Sequence, residues 1–156
     1  MATNEKLIEV LNDLIEINND RVNGYEKAAD ETKDIDVDLQ AIFHTMANDS
    51  RQYATELTHK VSELGGEAAT GSTNRGKIYR VWMDVKSTFT GSDRQSILES
   101  CEFGEDNAQK AYTEALASDA EIDAETRQLI TDQQASLKSA HNKIKGYRDV
   151  HKAVNA

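Results

Sequence analysis

Apolar residues recur at three- and four-residue intervals along most of this chain, and this spacing predicts amphipathic α-helices. A strand pattern would alternate with a period of two, and the chain also contains no proline that would interrupt a helix. We predict four long helices, at about 4–32, 36–64, 93–118 and 123–152. The pattern therefore predicts an all-α fold.

The lengths of the connections predict how these helices pair. The first two segments are separated by a short turn, and so are the last two, so each pair should form an antiparallel hairpin. A long connection joins the hairpins and carries a shorter amphipathic stretch at about 77–89, which includes the sole tryptophan, Trp82. Two hairpins joined by one long crossover form an antiparallel four-helix bundle. We expect a single domain over 1–156, with the crossover helix between the second and third long helices packed on the bundle through Trp82.

Charge and composition narrow the classes of function. The chain has 28 acidic and 18 basic residues, which gives a net charge of -10. Nucleic acids and anionic membranes both require a basic surface, so neither is expected as a partner. The single cysteine cannot form an internal disulfide, and neither a signal peptide nor an apolar run of about 20 residues is seen. We expect a soluble cytoplasmic protein, with a metal ion or a second copy of the chain as candidate partners.

Metal-ligand residues occur on each of the four helices in an order typical of a carboxylate-bridged di-metal centre. In such bundles two helices each supply a Glu, and the other two each supply a Glu-x-x-His pair. Lys138 stands three residues before His141, where the fourth Glu would be required, and an ammonium group cannot ligate a dication. The candidate ligands are Glu26, Glu56, His59, Glu105 and His141.

The position of each candidate around its helix separates them. At about 100° per residue, Glu105 and His141 lie on the inward stripes of the third and fourth helices and should be mostly buried. Glu26 and Glu56 lie at the boundaries of their apolar stripes. His59 and Lys138 fall on outward faces and should be exposed. The pair on the fourth helix therefore departs from the di-metal pattern in both chemistry and direction.

The same polar residues allow a second interpretation. Asn18 and Arg21 also fall on the inward stripe of the first helix, so the core should contain a polar layer. Buried Glu and His side chains in a bundle can hydrogen-bond neighbouring Tyr and Gln side chains without any metal. The sequence leaves a reduced metal site and a hydrogen-bonded network as alternatives. The expected layer consists of Asn18, Tyr25, Glu105, Gln133 and His141.

Residues close to Glu105 receive ordinary structural interpretations. Cys101 is expected to be a small core residue rather than a nucleophile, because no His neighbours it in sequence. Glu99, Glu102 and Asp106 are expected to form a solvated face of the third helix.

Short motifs spread over nearly the whole chain carry a family resemblance. They are Gly24 to Ala29, Glu56-Leu57, Leu64 to Gly66, Trp82, Glu102 to Asp106, Ala111-Tyr112, and Ala140-His141 with Ile144. In these motifs the chain resembles the ferritin-like superfamily, and within it a bacterial family of uncharacterised four-helix bundles often described as stress-related. That family has no settled activity, so the resemblance implies the fold more strongly than the function.

Ferritin-like relatives imply iron or manganese bound between the helices, with oxidation of the metal or reduction of a peroxide. Carried over residue by residue, the resemblance makes Glu26, Glu56, Glu105 and His141 the ligands of one Fe, Mn or Zn ion. It does not support two ions held with the usual symmetry. We therefore expect a stress-related binding or scaffold protein with a degenerate or single-metal site. The alternatives are a di-iron or manganese redox enzyme and a purely structural oligomerisation module without metal.

Overall fold

A computed structural model of the protein describes residues 2–32, 36–70 and 94–154. These ranges contain four helices: α1 (Ala2–Thr32), α2 (Val37–Glu63), α3 (Arg94–Leu116) and α4 (Ala124–Val154). No strand occurs in the described ranges, and each helix begins and ends within two residues of its predicted bounds. None of these helices is long and apolar enough to cross a membrane. The predicted crossover helix with Trp82 lies outside the described residues.

The helices pack as two hairpins that share one core. α1 packs against α2, and α3 packs against α4, while α1 also contacts α3 and α4 contacts α2 over a shorter stretch. Burying the apolar stripe of every helix against its neighbours is the main source of stability of such a bundle. The largest buried apolar side chains include Leu11, Leu14, Phe43, Leu57, Leu98 and Ile130.

Local sequence signals fix both ends of α2. At its start, the carboxylate of Asp36 accepts a hydrogen bond from the backbone N–H of Leu39 at 3.0 Å, as an N-cap residue does. At its end, Gly65 has a φ of 82°, the left-handed conformation that glycine adopts without strain. A Cβ atom on Gly66 would lie 2.8 Å from two side-chain atoms of Ile8, so the end of α2 approaches α1 closely. The predicted helix end at these glycines is confirmed.

Candidate functional site

An ion pair lies at the centre of the bundle. Arg21 on α1 and Glu105 on α3 are each only 1% exposed. Arg21 donates from Nε to one carboxylate oxygen of Glu105 and from Nη2 to the other, the second bond being 2.8 Å long. This two-point geometry is the strongest form of guanidinium–carboxylate pairing. Both oxygens of Glu105 are therefore engaged by a cation.

The remaining surface of the Arg21 guanidinium is also occupied. Its Nη1 donates to the hydroxyl of Ser50 at 2.5 Å and to the carbonyl of Met46 at 3.5 Å, and its Cζ lies 4.9 Å from the centre of the Tyr25 ring. Burial alone would lower the pKa of Arg21, but the charge and the hydrogen bonds of Glu105 outweigh burial and raise it above its ordinary value. Arg21 therefore carries a permanent positive charge in the core.

From Ser50, a run of hydrogen bonds crosses all four helices. Ser50 donates to Oδ1 of Asn18 at 3.0 Å, and Nδ2 of Asn18 donates to the hydroxyl of Tyr112 at 2.8 Å. Tyr112 donates to Oε1 of Gln133 at 2.7 Å, and Nε2 of Gln133 donates to Glu56 at 3.0 Å. Every donor in this run faces the same way, from the guanidinium towards the Glu56 carboxylate. We call the whole set the polar ladder: Arg21, Glu105, Ser50, Asn18, Tyr112, Gln133 and Glu56.

Titratable groups around the polar ladder are held in their neutral forms. Burial raises the pKa of the Cys101 thiol well above its ordinary value, and the nearby Glu105 carboxylate raises it further. Burial also raises the pKa of Tyr112, although the hydrogen bond from Asn18 opposes that shift. Cys101 is fully buried, as predicted, and burial disfavours the thiolate that a nucleophile would need. Tyr112 keeps the proton that it donates within the ladder.

Three of the four predicted metal ligands have separate partners. Glu105 and Glu56 lie at different positions of the polar ladder, one against Arg21 and the other at the end of the run. Glu26 is only partly buried, and its Oε1 lies 3.4 Å from both Nδ1 of His44 and Nη2 of Arg51. These contacts do not gather the three carboxylates around one point. Ligation by Glu26, Glu56 and Glu105 stays a prediction.

The burial of the candidate ligands agrees with the positions predicted for them around their helices. Glu105 is buried, His59 and Lys138 are exposed, and Glu26 and Glu56 are intermediate, as predicted. His141 is also mostly buried, with 17% of its side chain exposed, but it lies at the edge between α3 and α4 rather than in the interior. Of the expected polar layer, Asn18, Tyr25, Glu105 and Gln133 are buried in the interior, and His141 lies at its edge.

A second polar group lies at this edge. Nε2 of His141 is 2.5 Å from Oδ1 of Asp106, and Glu102 precedes Asp106 by one turn of α3. One ligand atom from each of the three residues lies within 4.8 Å of those of the other two, which is close enough for a shared metal ion. We call Glu102, Asp106 and His141 the edge cluster. The sequence interpretation of Glu102 and Asp106 as a solvated face is incomplete, because His141 of α4 reaches across to that face.

Comparison with solved structures identifies the fold. The chain superimposes on a bacterioferritin from Desulfovibrio desulfuricans, described with its diiron site in different catalytic states, with a TM-score of 0.82 and 22% identity over 97% of this chain and 83% of that chain. A variant of Dps1 from Mycobacterium smegmatis matches with a TM-score of 0.79 and 13% identity, over 94% of this chain and 97% of that chain. At these identities the likeness concerns the fold, and the predicted ferritin-like bundle is confirmed.

Comparison by sequence identifies a family whose function is not known. Residues 6–118 match the model of a family described as a domain of unknown function (DUF2383). A search of curated proteins finds no match to the chain.

Proposed function

Since the chain belongs to the family described as a domain of unknown function (DUF2383), we propose that it acts as a ferritin-like binding or scaffold protein with no redox centre in its core. The observation that carries this proposal is the buried pair of Arg21 and Glu105. The polar ladder fills the interior between the four helices of this protein, whereas the bacterioferritin with a similar fold is described with a diiron site. The core is then a structural element, and binding takes place on the outside of the bundle.

A diiron centre does not fit the interior residues. Each oxygen of Glu105 already accepts a hydrogen bond from Arg21, so a bridging pair of metal ions would have to share this carboxylate with a fixed guanidinium. A permanent cation beside this carboxylate also repels any dication in a medium of low dielectric constant. The ladder holds one cation and two carboxylates, Glu105 and Glu56, which is far less negative charge than two dications require. His59 and Lys138 are exposed and add no ligand to the interior.

The finer predictions from the sequence have different support. A single Fe, Mn or Zn ion on Glu26, Glu56, Glu105 and His141 is less well supported than a core without metal, because these residues have four separate sets of contacts. A role in stress, a cytoplasmic location and self-association are carried over from the sequence interpretation. The alternative of a redox enzyme can be tested against our proposal, because only a redox enzyme would accelerate the oxidation of Fe²⁺.

We expect the metal-free protein to leave the rate of Fe²⁺ oxidation in air unchanged. The reason is that, among the residues that the structure describes, the carboxylates of the polar ladder are bound to Arg21 and Gln133 and are not gathered to hold two ferrous ions. Formation of the ferric product can be followed by absorbance after Fe²⁺ is mixed with protein in aerated buffer. The controls are buffer alone and a bacterioferritin. Faster oxidation than in buffer that is lost in Glu105→Gln would contradict the proposal, because it would place a working iron centre in the core.

We expect Lys138→Glu to behave as the parent does in the same assay. Lys138 is exposed, so the substitution changes surface charge without adding a ligand to the interior. Iron bound per chain can be measured after desalting, together with the oxidation rate. If the variant takes up more Fe²⁺ than the parent and oxidises it faster, and Glu105→Ala abolishes this gain, a ferritin-like centre survives in reduced form and Lys138 is what weakens it.

A further inference from the structure

We propose that the edge cluster of Glu102, Asp106 and His141 binds a single divalent first-row transition metal ion between α3 and α4. The cluster lies outside the polar ladder, so an ion there leaves the Arg21–Glu105 pair intact. It also shares only His141 with the ligand set predicted from the sequence. The proposal therefore goes beyond the binding or scaffold role and names a site and a ligand for it.

The donor atoms suit this class of ion. Two carboxylates and one imidazole form a mixed oxygen and nitrogen set, which fits Fe²⁺, Mn²⁺ or Zn²⁺ better than the all-oxygen sites of Ca²⁺ or the sulfur-rich sites of Cu⁺. Ligands at about 2.0–2.2 Å from one ion lie at most about 4.4 Å from each other. The three ligand atoms already lie within 4.8 Å of one another, so a small movement of side chains brings them to bonding distance.

The two helices hold these side chains in suitable positions. Glu102 and Asp106 are four residues apart on α3, so they project from the same face of that helix. His141 reaches them from α4, which packs against α3. An ion would therefore link two helices that are already fixed in relative position by the core.

The side chains of His141 and Asp106 differ in how far they can move. The His141 side chain is 17% exposed and the Asp106 side chain 58%, so Asp106 can rotate to admit an ion while His141 stays in place. The other ring nitrogen of His141, Nδ1, lies 3.5 Å from Oδ1 of Asn142. Metal-bound histidines usually direct their second ring nitrogen to an oxygen in this way. Nε2 itself contacts Asp106, so an ion enters by separating these two atoms and replacing the proton between them.

Electrostatics favours a dication at this place. The two carboxylates of the edge cluster bring negative charge to one point, which a divalent ion neutralises. The chain as a whole also carries a net charge of -10, which attracts cations. A protonated His141 paired with Asp106 is the competing arrangement, and the two arrangements give different results in a metal titration.

Titration of the untagged, metal-free protein tests the site. We expect isothermal titration calorimetry with Zn²⁺, and with Fe²⁺ under anaerobic conditions, to show saturable binding of one ion per chain. His141→Ala and Asp106→Asn should each weaken binding by at least about 100-fold, since even the loss of an outer-shell partner costs 10- to 100-fold. Two matched controls should bind as the parent does. They are His59→Ala, an exposed histidine on α2, and Glu99→Gln, an exposed carboxylate on α3.

A second measurement locates the ion independently of affinity. Bound Mn²⁺ should broaden the amide NMR signals around Asp106 and His141 before those around His59. The proposal is overturned if no saturable binding occurs, if Asp106→Asn and the control Glu99→Gln weaken binding equally, or if broadening is centred elsewhere. Asp106→Asn decides the matter if His141→Ala does not fold, because Asp106 is exposed. The two proposals can fail separately, because a core iron centre depends on Glu105, whereas binding at the edge cluster depends on Asp106 and His141.

Discussion

Arg21→Met should lower the free energy of unfolding by about 3–5 kcal/mol. Methionine fills much of the same volume but leaves the Glu105 carboxylate buried without a cation, and a buried charge that loses its partner is strongly destabilising. Ser50 loses the donor of a 2.5 Å hydrogen bond in the same step. Urea unfolding followed by circular dichroism gives the change directly.

The matched control for this substitution is Lys27→Met, which removes an exposed cation from the same helix. Surface substitutions of this kind usually change stability by no more than about 0.5 kcal/mol. A loss below about 1 kcal/mol in Arg21→Met would show that Glu105 is neutralised or solvated by other means. In that case the Arg21–Glu105 ion pair would not be what prevents metal binding in the core.

The double variant Arg21→Met with Glu105→Leu should recover most of the loss caused by Arg21→Met alone. Removing both charges leaves no unpaired ion, and apolar replacement of a buried ion pair is often neutral or even stabilising by about 1–4 kcal/mol. Glu105→Leu alone should instead destabilise about as much as Arg21→Met, because it leaves the buried guanidinium without its carboxylate.

A double-mutant cycle measures this coupling. Urea unfolding of the parent, the two single variants and the double variant gives the interaction energy between positions 21 and 105. We expect the double variant to be several kcal/mol more stable than the sum of the single losses predicts, since the two side chains share two hydrogen bonds. Additive losses would mean that the two residues stabilise the bundle separately.

The sequence was sufficient for the architecture because helical periodicity is a local property. Apolar spacing located the four described helices, and the glycines at 65 and 66 located the end of α2. The same reasoning placed Arg21 and Glu105 on inward faces. Helical periodicity could not predict that Arg21 pairs with Glu105. The two residues are 84 positions apart, and their contact depends on how α1 and α3 are rotated and aligned against each other.

The edge cluster illustrates the same limit from the outside of the bundle. Position around the helix placed His141 on the inward side of α4 and Asp106 on a solvated face of α3. In the structure Nε2 of His141 lies 2.5 Å from Oδ1 of Asp106. Both residues lie at the border between the packed helices, where a side chain on the inward side of α4 can reach one on the outer face of α3. A pattern read along one helix at a time does not identify such a border. Pairing α3 with α4 in antiparallel order and comparing their edges would have suggested it.

The single direction of the polar ladder limits how the four helices can be aligned along their axes. Apolar side chains tolerate sliding, whereas a hydrogen bond requires its partner at about 2.7–3.2 Å. A shift of α4 by one turn would bring Leu129 or Leu137 to the level of Gln133, leaving Tyr112 and Glu56 without their partner. Reversing the amide of Gln133 in place would set its carbonyl oxygen against the Glu56 carboxylate. The polar ladder therefore stabilises one axial register of the four helices, because registers shifted by one turn lose its hydrogen bonds.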